Sequence, residues 1–193
     1  MSSDKPRLFQ DGRDIFLTLA VMALAMVVTV GATGLCSFNP GAPEAGPVRE
    51  VDTDTFLPME ARRVAFPVRD PQLPEQWVAN SQRASQVAGH QATIVGFVTP
   101  EQQFIQVLQT DAPLDQLPGQ PDKPRPHEEE KTITSDEAGA VQWHIFTSDD
   151  DSIRPTWVAD LGDSRLVLEG SANEAEFETF AQAMQDSPVI QVN

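Results

Sequence analysis

From Ile15 to Leu35 the chain runs for 21 residues without a charge, 16 of them apolar, and the next charged residue is Glu44. A helix over this run is about 31 Å long at about 1.5 Å per residue, which matches a hydrocarbon core of about 30 Å. Its Leu, Ile, Phe and Val residues each favour insertion near the bilayer centre by about 0.3–0.6 kcal/mol, and the Thr and Gly residues, mostly in the second half, oppose this only weakly. The run predicts a transmembrane helix over 15–35, with the lipid bilayer as its partner.

Lys and Arg set the orientation of such a span, because acidic residues contribute little to topology. Lys5, Arg7 and Arg13 precede the run, and the first basic residue beyond it is Arg49. Residues 1–14 are therefore expected to be cytoplasmic and the bulk of the chain outside, as in a single-pass cell-membrane protein. Two processing routes compete with a retained anchor. A secretory signal would be cut after Val30-Gly31-Ala32 or Ala32-Thr33-Gly34. A lipoprotein would be acylated on Cys36, but a lipobox wants a small residue where Leu35 stands.

The 193 residues carry 13 Lys and Arg against 29 Asp and Glu, a formal net charge of −16. The first 14 residues are balanced, so the excess belongs to the outer part, which leaves no electrostatic footprint for nucleic acid. Cations or basic partners suit such a surface better. A single Cys excludes a disulfide framework within the chain. No Gly-rich phosphate loop is present, so no nucleotide and no other cofactor is expected.

Residues 36–51 hold Pro40, Pro43 and Pro47 and read as a Pro/Gly-rich linker. Residues 52–193 then form one extracytoplasmic domain, in which the Pro-rich stretch 113–131 reads as a flexible exposed loop. Strand signals are the alternation of Val64, Phe66 and Val68, the runs Thr93–Thr99 and Phe104–Thr110 around a hairpin turn, the alternation of Val141, Trp143 and Ile145, and Thr156–Leu161 and Arg165–Glu169 around Gly162-Asp163-Ser164. A short helix fits residues 53–63. Ser171-Ala172-Asn173-Glu174 reads as a capping box before an amphipathic helix over 173–186, with Phe177, Phe180, Ala181 and Met184 on one face. The fold class is α+β: an N-terminal transmembrane helix, then an antiparallel-sheet domain with a C-terminal amphipathic helix, arranged as two strand-strand-helix halves.

Four segments invite a chemical reading. Gly162-Asp163-Ser164 after an apolar strand is reminiscent of a hydrolase nucleophile block, yet His90, His127 and His144 all precede Ser164, and a turn accounts for the tripeptide. His127-Glu128-Glu129-Glu130-Lys131 has Lys where a zinc-protease helix needs its second His, and an ammonium repels zinc. Asp149-Asp150-Asp151-Ser152 offers oxygen ligands to a divalent cation but departs from the calcium-loop pattern at Ile153, Arg154 and Asp160. Trp77, Trp143 and Trp157 suit sugar stacking, whereas the alternation of Trp143 and Trp157 with apolar residues favours a core. No catalytic, cofactor-binding or metal-ligating residue is assigned, and His144 is expected at the surface.

The segments CSFNPGAPE, FPVRDPQLPEQWVANS, VGFVTPEQQFIQVLQTDAP and PTWVADLGDSRLVLEGSANEAEFETFAQAM, following one apolar span, resemble the actinobacterial membrane-protein family called domain of unknown function 4245. The similarity covers about residues 20–186 and is most specific around Trp77, Thr99-Pro100 and Gly170-Ser171. It implies a Gram-positive envelope protein with a small α+β outer domain, and it carries no activity. The expected function is a non-enzymatic module that binds an envelope protein, glycan or lipid. The alternative is a cell-envelope hydrolase using two carboxylates about 5–10 Å apart in a cleft.

Overall fold

The computed structural model describes residues 12–32, 48–117, 124–135 and 137–191, with side chains of the first helix described from Ile15 to Thr29. The chain divides into two compact units, Met1–Gly46 and Pro47–Asn193. In the first unit, helix α1 spans Gly12–Ala32. It begins before the expected 15–35; residues 33–35, like Cys36 and most of the linker, lie outside the described residues. Every described side chain on α1 is exposed, apolar ones on all sides included. Among the described residues no helix is long and apolar enough to cross a membrane. The stretch from Ile15 to Thr29 measures about 22 Å at about 1.5 Å per residue.

The second unit is built on one sheet of seven strands: β1 (Val78–Val87), β2 (His90–Val98), β3 (Phe104–Thr110), β4 (His127–Ser135), β5 (Gly139–Thr147), β6 (Thr156–Asp160) and β7 (Arg165–Gly170). Their order is β1-β2-β3-β7-β6-β5-β4, and every neighbouring pair is antiparallel. Two meanders, β1–β3 and β4–β7, thus meet at the β3–β7 pair. Helix α2 (Thr53–Arg63) precedes the first and α3 (Glu174–Gln185) follows the second. The expected pair of strand-strand-helix halves is corrected: the first meander has its α-helix in front and, among the described residues, only a 3₁₀ turn behind it.

The two faces of the sheet follow from strand alternation. On one face the cross-strand row Val95, Val107, Leu168, Trp157 and Ile145 is in register and packs with Phe56 and Leu57 of α2 and Phe177, Phe180, Ala181 and Met184 of α3. Phe180 stands 5.6 Å from Trp77 and 5.1 Å from Phe97, ring centroid to centroid, while Phe177 stacks on Trp157 at 5.2 Å. The opposite face carries a second cluster. Val158 and Val167 meet Ala112 and Leu117 there, with Leu108, Leu114 and Phe146 alongside.

This second cluster changes the reading of the Pro-rich stretch. Residues 111–117, with a 3₁₀ turn at Leu114–Gln116, lie across the sheet, and residues 127–131 are the first half of β4. Arg125 holds the far end by donating from Nε to the Arg154 carbonyl at 2.9 Å. Residues 118–123 lie outside the described residues. The segment around Val64–Val68 makes no strand; its only ladder contact is the bridge of Arg69 to Val189. Helix α3 is capped by Asn173 and Glu176 in a reciprocal box, two residues later than the one expected at Ser171.

Because Phe180 is fully buried between two aromatic rings, Phe180→Ala is expected to cost about 3–5 kcal/mol of unfolding free energy. Urea unfolding followed by tryptophan fluorescence measures it, and a change under 1 kcal/mol would contradict this packing.

Candidate functional site

Ser164 is fully buried. Its Oγ accepts from Arg69 Nη1 at 2.7 Å and donates to Asp163 Oδ1 at 3.1 Å, and Arg69 Nη2 reaches Asp163 Oδ2 at 2.8 Å. The backbone of Arg69 is held in turn: its N–H donates to Gln109 Oε1 and its carbonyl accepts from Gln109 Nε2, both at 2.8 Å. Gly162, at φ +85°, makes the turn. Every polar atom of the hydroxyl and carboxylate pair is thus engaged in tying the 66–70 segment to β3 and to the β6–β7 turn. The tripeptide is a structural clamp.

On β4 the alternation separates neighbours. Glu128 and Glu130 share a face with His144, whose Nδ1 lies 3.1 Å from Glu128 Oε1, while Glu129 and Lys131 face the other way. His127 Nε2 lies 3.0 Å from Asp149 Oδ1, and His90 Nδ1 3.0 Å from Asp111 Oδ1. Each histidine is therefore matched with a carboxylate, and none with a hydroxyl or thiol among the described residues. In the 149–152 turn, Asp150 accepts from the Ser152 N–H at 2.9 Å, and hydrogen bonding from the Ser152 side chain, then from its backbone, holds the Asp150 carboxyl below the usual range. No group of three or more His, Cys, Asp or Glu among the described residues is arranged to hold a metal ion. Trp77, Trp143 and Trp157 are all buried, so they are core residues; Trp143 Nε1 donates to Gln185 Oε1 at 3.2 Å.

The acid-pair alternative depends on carboxylates in unlike environments. Burial pushes the Asp70 carboxyl up, and the nearby Asp54 adds to this. Neither residue lines one of the described cavities. At Asp163 burial also pushes upward, but the hydrogen bond and charge of Arg69 outweigh it and hold the carboxyl below its usual value.

What the sheet offers instead is a pair of grooves on its second face, one on each side of Leu117. The first, of about 310 Å³, has a floor of Ile94, Leu108 and Val167, with Arg83 and Glu169 at its rim. The second, of about 570 Å³, is bordered by Phe146, Val158, His144, Glu128 and Asp115. The cross-strand row Arg83, Ile94, Leu108, Val167, Val158, His144, Glu130 runs through both. Apolar centre and charged ends are the arrangement of a binding surface. Ile94 and Val167 had a signal in the sequence: TIVGFVT and RLVLE are apolar without alternation, the mark of strands covered on both faces.

The family model described as "Protein of unknown function (DUF4245)" matches residues 7–184. The chain belongs to the DUF4245 family. Neither the curated proteins nor the solved structures hold a match to it. Two of the segments most specific to the DUF4245 resemblance meet in space. In the turn after β2, Gln102 N–H donates to the Thr99 carbonyl at 2.9 Å, and Glu101 then takes Asn173 Nδ2 at 2.9 Å while its N–H donates to Glu176 Oε1 at 3.3 Å. In this DUF4245 chain, those residues build the helix cap.

The two shifted aspartates have opposite signs in stability. The raised Asp70 favours the folded state only once protonated, so its contribution appears as pH falls through its folded value and is missing at neutral pH. The lowered Asp163 contributes above the usual Asp value of about 3.9 and loses that contribution as pH falls through its folded value. Asp70→Asn should therefore raise the urea midpoint at pH 7 and Asp163→Asn lower it, both differences shrinking at acid pH. Shifts of the same sign at pH 7 would contradict these environments.

Proposed function

We propose that the chain is a single-pass protein of the cell membrane, of the actinobacterial envelope type, anchored through residues 15–35 with its N-terminus cytoplasmic, and that its outer domain is a non-enzymatic binding module. The observation that carries the reading is the first groove on the second sheet face, with its floor of Ile94, Leu108 and Val167 between Arg83 and Glu169. Such a site takes a ligand with an apolar body and a polar or charged group, and that chemistry is shared by envelope lipids and by exposed segments of envelope proteins. The anchor is supported by the uncharged run and by a helix that presents apolar side chains all round, a pattern that belongs in a core or a bilayer. Lys5, Arg7 and Arg13 support the orientation.

One experiment on whole cells tests both parts. Arg83→Cys and Thr179→Cys, both at exposed positions, are made in a Cys36→Ser background and treated with a membrane-impermeant, photoactivatable maleimide. Both sites should label in intact cells, and light should capture a discrete envelope component from residue 83 that residue 179 does not capture. Labelling only after lysis would overturn the orientation, and identical capture from both sites would overturn the groove.

A further inference from the structure

At the other end of the sheet, on the helix-covered face, a slot of about 200 Å³ opens between β4, β5, β6 and the start of α3. Ile145, Trp157 and Phe177 line it, and Glu129 and Glu174 stand among its walls. Lys131 lies two residues along β4 from Glu129, on the same face. Its ammonium bonds to both Glu174 and Glu178 and sits 5.8 Å from the centre of the Trp157 ring. Hydrogen bonds to Glu174 and then Glu178 push the Lys131 ammonium up to about 12.

From this arrangement we infer that the slot is a docking site for a lysine side chain of a basic partner polypeptide, whose ammonium takes the place that Lys131 holds at the rim. Two observations converge. A cation over an indole face flanked by carboxylates is a favourable ammonium environment, and here the chain's own ammonium demonstrates it. Two carboxylates, Glu174 and Glu178, hold the cation, and Glu129, which lines the slot, has no ion-pair partner among the described residues, so the site retains negative charge with Lys131 in place. The N-terminus of α3 carries the positive end of the helix dipole, which works against a cation, and Glu174 in the first turn offsets it. Size then selects the class of occupant: about 200 Å³ is below the roughly 300–1,000 Å³ typical of sites for whole small molecules, and fits one extended side chain. The formal charge of −16 draws basic polypeptides rather than acidic ones.

Lys131 is displaceable. Its side chain is 31% exposed and its partners are 70% and 43% exposed, and ion pairs of this kind contribute about 1 kcal/mol or less each. An incoming lysine that also fills the apolar slot between Ile145 and Phe177 gains what Lys131, reaching over the rim, does not. This site is independent of the groove in the proposed function, which lies on the opposite face of the sheet.

The test uses the full chain in detergent micelles, with the indole proton of Trp157 as the NMR reporter and Nα-acetyl-lysine methylamide as the probe. The probe should shift that resonance saturably, and its Nε-acetylated counterpart should not. Lys131→Met keeps the unbranched stem and empties the cage, so it should tighten the probe by roughly tenfold, a change of the size expected for a cation–π and ion-pair site. Glu129→Gln, at an exposed residue, should weaken the probe while leaving the fold intact, and it serves as the second arm if Lys131→Met does not fold. Equal shifts from the acetylated probe, or no change with either variant, would overturn the site. A guanidinium probe that binds more tightly than the lysine probe would overturn the choice of lysine.

Discussion

The pairing of β3 with β7 is the constraint on which the outer domain depends. Among the described residues it is the only ladder that joins the two meanders, and it ends at the pair Ile105 and Gly170. A Cβ on Gly170 would stand 2.1 Å from the Phe104 carbonyl oxygen, so any side chain there would force the strands apart. That carbonyl accepts from the N–H groups of Ser171 and Ala172 at 2.8 and 3.3 Å, while Ser171 Oγ accepts from the Phe104 N–H at 3.2 Å. The seam therefore continues past the sheet into the start of α3. The helix axis is set by backbone bonds before its apolar stripe begins.

From that seam the rest follows by packing. Because α3 leaves the sheet locked to the Thr99–Gln103 turn through Glu101, Asn173 and Glu176, Phe177, Phe180 and Met184 are laid over both meanders in a single core. Helix α2 completes the same face, with Glu60 buried beneath it and accepting from Thr93 Oγ1 at 3.2 Å and from Arg63. The second face is left to the crossing segment 111–117 and to Arg125. A narrow strap on a wide sheet leaves space on each side, and the grooves are that space. The sheet edges are guarded in different ways: the edge strand β4 carries Glu128 and Glu130 on one face and Glu129 on the other, and β1 has an irregularity in register between Ala79 and Ser81, both of which discourage pairing with another chain.

Elements with strong local signals were legible in the sequence. The turn chemistry at Thr99–Gln103 and Gly162–Ser164 and the spacing of Phe177, Phe180 and Met184 depend on neighbours a few residues away, and the antiparallel α+β class followed from them. Three features were not legible. β1 reads VANSQRASQV, polar on both faces because it is an edge strand, so alternation had nothing to show. β4 begins in HEEEK, and its charges are tolerated because β4 is the opposite edge of the sheet. Val64, Phe66 and Val68 alternate as a strand would, but the Arg69 backbone gives its polar groups to the Gln109 side chain rather than to a ladder. As for the candidate sites, the sequence showed why the Gly-Asp-Ser, His-Glu and Asp-rich segments fall short of known chemistry. It did not show that Lys131, Glu174 and Glu178, on elements separated by more than forty residues, converge on Trp157.

Hydrogen exchange of the full chain in micelles tests the central claim, that two meanders are fused into one cooperative sheet at β3–β7. The account predicts that amides of Phe104–Thr110 and Arg165–Gly170 exchange last and together, at the free energy of global unfolding measured by urea. If those two strands exchanged early while β1–β2 and β5–β6 stayed protected, each meander would be folding for itself, and the seam would not hold the domain together.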